Sequence, residues 1–238
     1  MTLIVNVLHK DFTLLAADKL ANAAGPATIT MGRLTINLPN GGSVTGLFPK
    51  VITAANGCAA AGSAGVIAEH TYVDAFKATT TPEDALAAIR NAAQDFFDFA
   101  ERDQYLEGKG QMINESIVSF FDVAKSAFWT FIIKYTRFES HQFVYARNKN
   151  PKAYVFSTGS GNATLHEKVP EEEMQQFIDS IADEWSESQL VQWLDKIFRI
   201  VSENNKTVGA TYDSMIATRD NPVFRSLASE SHGSGASA

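Results

Sequence analysis

The sequence predicts an α+β fold, with sheets and helices packed in layers, on three observations. Strand-like runs fall in blocks near residues 3–61, 126–156 and 211–218. Runs of helical spacing separate those blocks, at 66–100 and 170–203. Of the 238 residues, 45% are apolar and 20% charged, the balance of a globular chain able to bury a sizeable core. A length of this order fits one large domain, or at most two. We read residues 2–228 as that domain.

In chain order, Leu3–Leu8 and Thr13–Ala17 are short β-prone runs joined by the polar His9-Lys10-Asp11, a hairpin signal. Thr28–Thr30 and Leu34–Leu38 are further strand-like pieces, followed by the turn Pro39-Asn40-Gly41-Gly42. Val51–Thr53 and Cys58–Ala61 bracket Asn56-Gly57, a tight-turn pair. Then the period changes. Val66, Ile67, His70, Val73 and Phe76 recur at helical spacing. A second helix starts with Thr81 as cap, Pro82 in the first turn, and Glu83 and Asp84 suited to the positive end of the helix dipole. Its buried stripe is Leu86, Ile89, Ala93, Phe96, Phe97 and Ala100. Strand composition returns over Ser126–Thr136 and Gln142–Phe156, the latter broken by the turn Asn148-Lys149-Asn150-Pro151. Pro170–Trp185 and Ser186–Glu203 read as helices, with Ser186 a cap and Leu190, Trp193, Leu194, Ile197, Phe198 and Val201 one face. Thr211–Thr218 closes as a strand.

The bulk properties narrow the function classes. A net charge of -7 with no basic run argues against nucleic acid as a partner. No stretch approaches the ~20 apolar residues of a membrane-spanning helix, so no membrane partner is expected. The N-terminal apolar run is broken by Asn6 and followed by charge, unlike a secretory signal. With one cysteine, Cys58, no intramolecular disulfide can form, and a reducing, cytoplasmic setting is the simpler reading; Cys58 itself reads as a buried core thiol. His9, His70, His141 and His166 show no metal-ligand spacing, and no phosphate-cradling loop with its Lys and Ser/Thr occurs, so neither metal nor other cofactor is expected. Residues 229–238, mostly Ser, Gly and Ala, read as a disordered tail.

The pair Met1-Thr2 carries a chemical possibility. Methionine aminopeptidase accepts small second residues, which would leave Thr2 first in the mature chain. A hydroxyl and a free α-amine then share one residue, and the amine can take the hydroxyl proton directly or through water. Such an amine has an ordinary pKa of about 7.7–8.0, and a neighbouring cation would lower it.

Three further pieces, in order, give the sequence a family likeness. Thr2-Leu-Ile-Val opens a strand, and Ala16-Ala17-Asp18 ends the next, with Asp18 sixteen positions after Thr2. Lys50-Val51 stands twelve residues before Gly62 in Ala61-Gly62-Ser63-Ala64-Gly65. Phe156-Ser157-Thr158-Gly159-Ser160-Gly161 holds a Gly-Ser-Gly turn. In these the chain resembles the proteasome β-subunit family of N-terminal threonine peptidases, and within it the bacterial HslV type. The resemblance implies the four-layer αββα sandwich of the Ntn hydrolases. It also implies roles. Thr2 is the nucleophile and its amine the base; Lys50 holds a positive charge beside them; Asp18 fixes Lys50. The Gly62 N–H donates to the oxyanion, and Ser160 bonds near the Thr2 amine.

Two departures from the family pattern bear on those roles. The segment between Asp18 and Lys50 is longer here, the extra piece forming an elaborated hairpin around 26–46, and it leaves Arg33 or Lys19 as alternatives for the cation. In Ser202–Gly209, Asn205 stands where the family carries Asp and Val208 where it carries Ser, so the network near Thr2 is rebuilt through Asn205 and Ser160 or activity is slow. By resemblance, the subunits form rings, two of them stacked around a chamber. Aromatic residues on the outer helices supply the contacts, and a separate ATPase unfoldase or other regulator admits unfolded polypeptides or peptides. Ala60 lies beside a roomy substrate pocket by the same resemblance. Two rival expectations accompany this one: a catalytically silent ring subunit, and an amidase acting on a small amide.

Overall fold

The computed structural model describes residues 2–23, 27–31, 34–40, 42–45, 50–64, 69–102, 115–134, 139–144 and 153–227. Strand β1, Ile4–His9, shows how the layers arise, because all six of its residues are buried. Successive side chains of a strand point to opposite faces, so a strand buried on both must be covered twice. Leu3, Val5 and Val7 pack with Leu165, Leu190, Leu194, Ile197, Phe198 and Val201 from helices. Ile4 and Leu8 pack instead with Val51, Ala60, Ile117 and Phe128, which belong to a second sheet.

The first sheet runs β12-β1-β2-β13-β14, with β2 Phe12–Asp18, β12 Ala153–Thr158, β13 Tyr212–Thr218 and β14 Arg225–Ser226. The second runs β11-β10-β9-β8-β7, built from β7 Val51–Thr53, β8 Ala59–Ala64, β9 Glu115–Asp122, β10 Ala127–Lys134 and β11 Glu139–Val144. Every strand pair in the two sheets is antiparallel. Helices α3 Asn162–Lys168, α4 Glu171–Ser180 and α5 Glu187–Asn204 cover the outer face of the first sheet. Helices α1 Glu69–Lys77 and α2 Pro82–Arg102 cover the second, where Phe76, Ala85 and Ile89 meet Ala59, Ala61, Val118 and Phe131. The order of layers is helix, sheet, sheet, helix.

Local signals explain the element ends. Thr81 Oγ1 accepts from Asp84 N–H at 3.2 Å and Ser186 Oγ from Gln189 N–H at 3.2 Å, both N-caps. Gly57 takes φ +70 in the turn before β8, where Asn56 Oδ1 also accepts from Cys58 N–H. Between β2 and β7, two further ribbons form: β3 Leu20–Ala23 pairs with β6 Gly42–Thr45, and β4 Ala27–Met31 with β5 Leu34–Leu38.

Some expectations need correction. Strand β9, at the centre of the second sheet, falls in a stretch to which the sequence reading gave no strand. Helix α3 directly follows the Gly-Ser-Gly turn, in a stretch to which the sequence assigns no element. The helix expected over Pro170–Trp185 ends at Ser180, after which Ile181 and Ala182 turn into the core. Cys58 is half-buried in the bend before β8 rather than inside a strand. Among the helix aromatics, Phe76, Phe177, Trp193 and Phe198 are buried in the subunit's own core, the Phe177 and Trp193 rings stacked at 3.9 Å. Val66, Ile67, Arg33, the turn at 148–151 and the tail lie outside the described residues.

Candidate active site

Thr2 immediately precedes β1 and is 3% exposed. Its neighbours on the first sheet fix its backbone on both sides. Toward β12, the Thr2 N–H donates to Ser160 Oγ at 3.1 Å, and the Thr2 carbonyl accepts from Gly161 N–H at 3.2 Å. Toward β2, Leu3 N–H donates to Asp18 Oδ1 at 2.9 Å while Asp18 N–H donates to the Leu3 carbonyl at 3.2 Å. The Gly-Ser-Gly turn can come this close only because Gly159 has no side chain. It sits at φ +91, and a Cβ there would lie 2.1 Å from the Thr2 carbonyl oxygen.

Asp18 is fully buried and collects donors from four chain segments. Besides Leu3, its Oδ2 accepts from Leu20 N–H at 3.0 Å and from Gly209 N–H at 3.1 Å. Lys50 Nζ lies 3.1 Å from each of its oxygens and 2.5 Å from the Leu20 carbonyl. The Lys50 side chain is only 10% exposed. Burial pulls its pKa below the ordinary lysine value, and the Asp18 carboxylate opposes that by favouring the ammonium. Of the alternative cations, Lys19 turns to Asp213, 2.7 Å away, and Arg33 lies outside the described residues.

Asn205 caps the C-terminus of α5 and reaches the other side of the turn. Its amide orientation is fixed by its partners. Thr207 donates to Oδ1 through both N–H at 3.1 Å and Oγ1 at 2.6 Å. Nδ2 therefore faces the Ser160 carbonyl at 3.3 Å and Thr164 Oγ1 at 3.2 Å. A carboxylate at this position would set oxygen against the Ser160 carbonyl, so the amide suits this network where Asp would not. Thr2, Asp18, Lys50, Ser160 and Asn205 thus form one connected set.

Gly62 does not join that set in its expected role. It lies inside β8, paired with Val51 on one side and Ile117 on the other. Ser63 N–H donates to the Lys50 carbonyl, toward β7. Amides alternate along a strand, so Gly62 N–H points toward β9 and into the ladder. Its missing side chain serves packing instead: a Cβ would stand 3.0 Å from Ile4 Cγ2 in the core between the sheets. Ala60 is likewise buried in that core, which rules it out as a pocket wall.

Comparison with solved structures finds Anbu, as the Gly-1 mutant from Hyphomicrobium sp. strain MC1, at a TM-score of 0.57 and 14% identity. The match covers 97% of this chain and 88% of that one. Anbu has the Ntn, proteasome-like fold. The fold here is the αββα sandwich of the Ntn hydrolases. At such identity the likeness carries the fold alone. No protein-family model matches the sequence, and no curated protein does. The resemblance read from sequence to the proteasome β-subunit family, beside HslV, is thereby corrected: what the chain shares with Anbu is the fold, and no sequence evidence supports the kinship.

Among the described residues, no group of three or more His, Cys, Asp or Glu could hold a metal, and no helix is long and apolar enough to cross a membrane. Sequence reasoning missed Leu20, Gly209, Thr164 and Thr207, which reach the set through backbone groups or through Asn205. Backbone donors leave no mark in residue type. Only Gly209, whose Cβ would lie 3.0 Å from Leu20 Cβ, carried a signal in its identity.

Proposed function

We propose that the chain is a peptidase whose nucleophile is the hydroxyl of Thr2, exposed as the first residue once Met1 is removed. The observation that carries this reading is the connected network at Thr2: its nitrogen on Ser160 Oγ, its successor's amide on Asp18, and Lys50 held by Asp18. With Met1 gone, that nitrogen is the α-amine. It takes the Thr2 Oγ proton as Oγ attacks the scissile carbonyl carbon, then passes that proton to the leaving nitrogen, and an ester on Thr2 remains. Lys50, an ammonium in a poorly solvated place, lowers the pKa of the amine and keeps it basic. Asp18 keeps the ammonium charged and in position, and Asn205 holds the Ser160 turn. Substrates on this reading are unfolded chains or peptides. The subunits assemble into rings with enclosed sites, served by a separate ATPase unfoldase or other regulator in the cytoplasm.

Intact-mass measurement after incubation with a peptide epoxyketone tests the chemistry, since that warhead needs both the hydroxyl and the amine of an N-terminal threonine. The expected result is a chain lacking Met1 that gains one inhibitor mass on Thr2. A second reading, a silent structural subunit, is favoured by the Gly62 amide lying in the sheet ladder, where it cannot serve an oxyanion. A chain without Met1 that takes no adduct supports that second reading.

A further inference from the structure

We propose that Thr158 is a positioning residue that holds the hydrolytic water at Thr2; this rests on the Thr2 reading above. Along β12, Ala153 and Val155 pack toward the helices, whereas Tyr154 and Phe156 pack into the layer between the sheets. Thr158 continues the second row. Its register partner is Ile4, itself in the layer between the sheets. Alternation along β1 puts Thr2 in the same row, two residues before Ile4, and Ser160 opposite Thr2. Thr158 is therefore the diagonal neighbour of the nucleophile on the face they share.

Thr158 is 2% exposed, and its hydroxyl has no hydrogen-bond partner among the described residues. Buried hydroxyls are satisfied almost without exception, by protein or by an ordered water. Nothing structural requires a hydroxyl here. Valine has the same shape and would fill the row with Tyr154 and Phe156. A water bonded to Thr158 Oγ1 would stand on the sheet face that Thr158 shares with Thr2, within the row from which the ester on Thr2 is approached. In the step it serves, the water oxygen bonds to the ester carbonyl carbon and gives a proton to the Thr2 amine. The carbon–Oγ bond then breaks, the amine proton returns to Oγ, and a carboxylic acid leaves.

The test compares Thr158→Val and Thr158→Ser with the unaltered chain, reading acylation and deacylation separately. Acylation is read as the rate of epoxyketone adduct formation on Thr2, deacylation as turnover of a fluorogenic peptide with intact mass taken during turnover. Thr158→Val should form the adduct at the unaltered rate, turn over at least about tenfold more slowly, within the usual range for a group that positions a proton-transfer partner, and accumulate the Thr2 acyl ester. Its melting temperature should not fall, and Thr158→Ser should behave as the unaltered chain. Unchanged turnover in Thr158→Val overturns the inference, as does an equal fall in both rates in either variant. An unaltered chain that takes no adduct overturns the Thr2 reading as well, whereas an adduct with normal turnover in Thr158→Val overturns only the role of Thr158.

Discussion

Two buried polar clusters lie along the first two strands, and they are built on opposite plans. One, in the layer between the sheets, is neutral. Asn6 Nδ2 donates to Thr13 Oγ1, the Leu14 carbonyl and Ser119 Oγ, Thr130 Oγ1 donates to Asn6 Oδ1, and Ser119 and Thr130 bond each other. All four side chains are fully buried, and the bonds cross from the first sheet to β9 and β10. The other is the charged set of Asp18 and Lys50, whose remaining ties run almost entirely to backbone N–H and C=O groups. Side chains that bond one another register two sheets. A carboxylate that gathers main-chain amides fixes the chain itself, and so fixes the residue at its end. The neutral cluster is a fastening; the charged one is a seat for Thr2.

Breaking each cluster should separate the two purposes. The largest effect is expected from Lys50→Met, which leaves a buried carboxylate without its cation. Stability should fall by about 3 kcal/mol, at the low end for such losses because three backbone amides still serve Asp18. The Thr2 adduct should vanish even in the molecules that remain folded. Denaturant unfolding and adduct mass, read on the same sample, check both. Asn6→Val comes next. It strips partners from Thr13, Ser119 and Thr130 and should cost about 2 kcal/mol. Per folded molecule, however, the rate of adduct formation should not change. If that rate falls in step with stability, the two clusters are not independent.

The smallest effect concerns a buried base outside both clusters. His9 ends β1 with its ring stacked on Phe12, Nδ1 accepting from Asp11 N–H and Nε2 facing the Ala182 carbonyl at 3.4 Å. Burial pulls its pKa below the ordinary histidine value, against raising effects from the Ala182 bond and from Asp11 and Asp183, while Lys10 adds to the lowering. Above about pH 6.5 the ring is neutral both folded and unfolded, and it contributes no pH dependence. Below that, the unfolded chain takes the proton first, so stability should decline by at most about 1.4 kcal/mol per pH unit until the folded ring also titrates. Thermal melts of the unaltered chain and of His9→Gln between pH 7 and 5 measure the difference. The variant should show the shallower decline.

Much of the fold was legible because its signals are local. The caps at Thr81 and Ser186, the Asn56-Gly57 turn and the stripe from Leu190 to Val201 need no knowledge of the rest of the chain. What escaped depends on distant partners. Strand β9 carries Ser116 and Ser119 among its apolar residues, and their burial makes sense only beside Ser63, Asn6 and Thr130. Helix α3, at seven residues, is too short to form by propensity and depends on the Gly161 bond to Thr2 and on Asn205 reaching Thr164. At the site, spacing names Thr2, Asp18, Lys50 and Ser160, and hydrogen bonds join them in the fold. Gly62 stands apart from that network, because spacing along a strand says nothing of which side an amide faces.

Leu20 closes both ends of the excursion that begins at β3. Its N–H is held by Asp18 and its carbonyl by Lys50, so residues 20 and 50 meet at a common base while the nested ribbons leave and return. A loop whose ends are clasped in this way can change length at little entropic cost, since closure grows only with the logarithm of the residues enclosed. The β4–β5 ribbon is thus the natural place for a graft on this scaffold. A purification handle, a fluorophore or a targeting peptide inserted there would be carried by the ribbons, and the clasp below would be left as it stands.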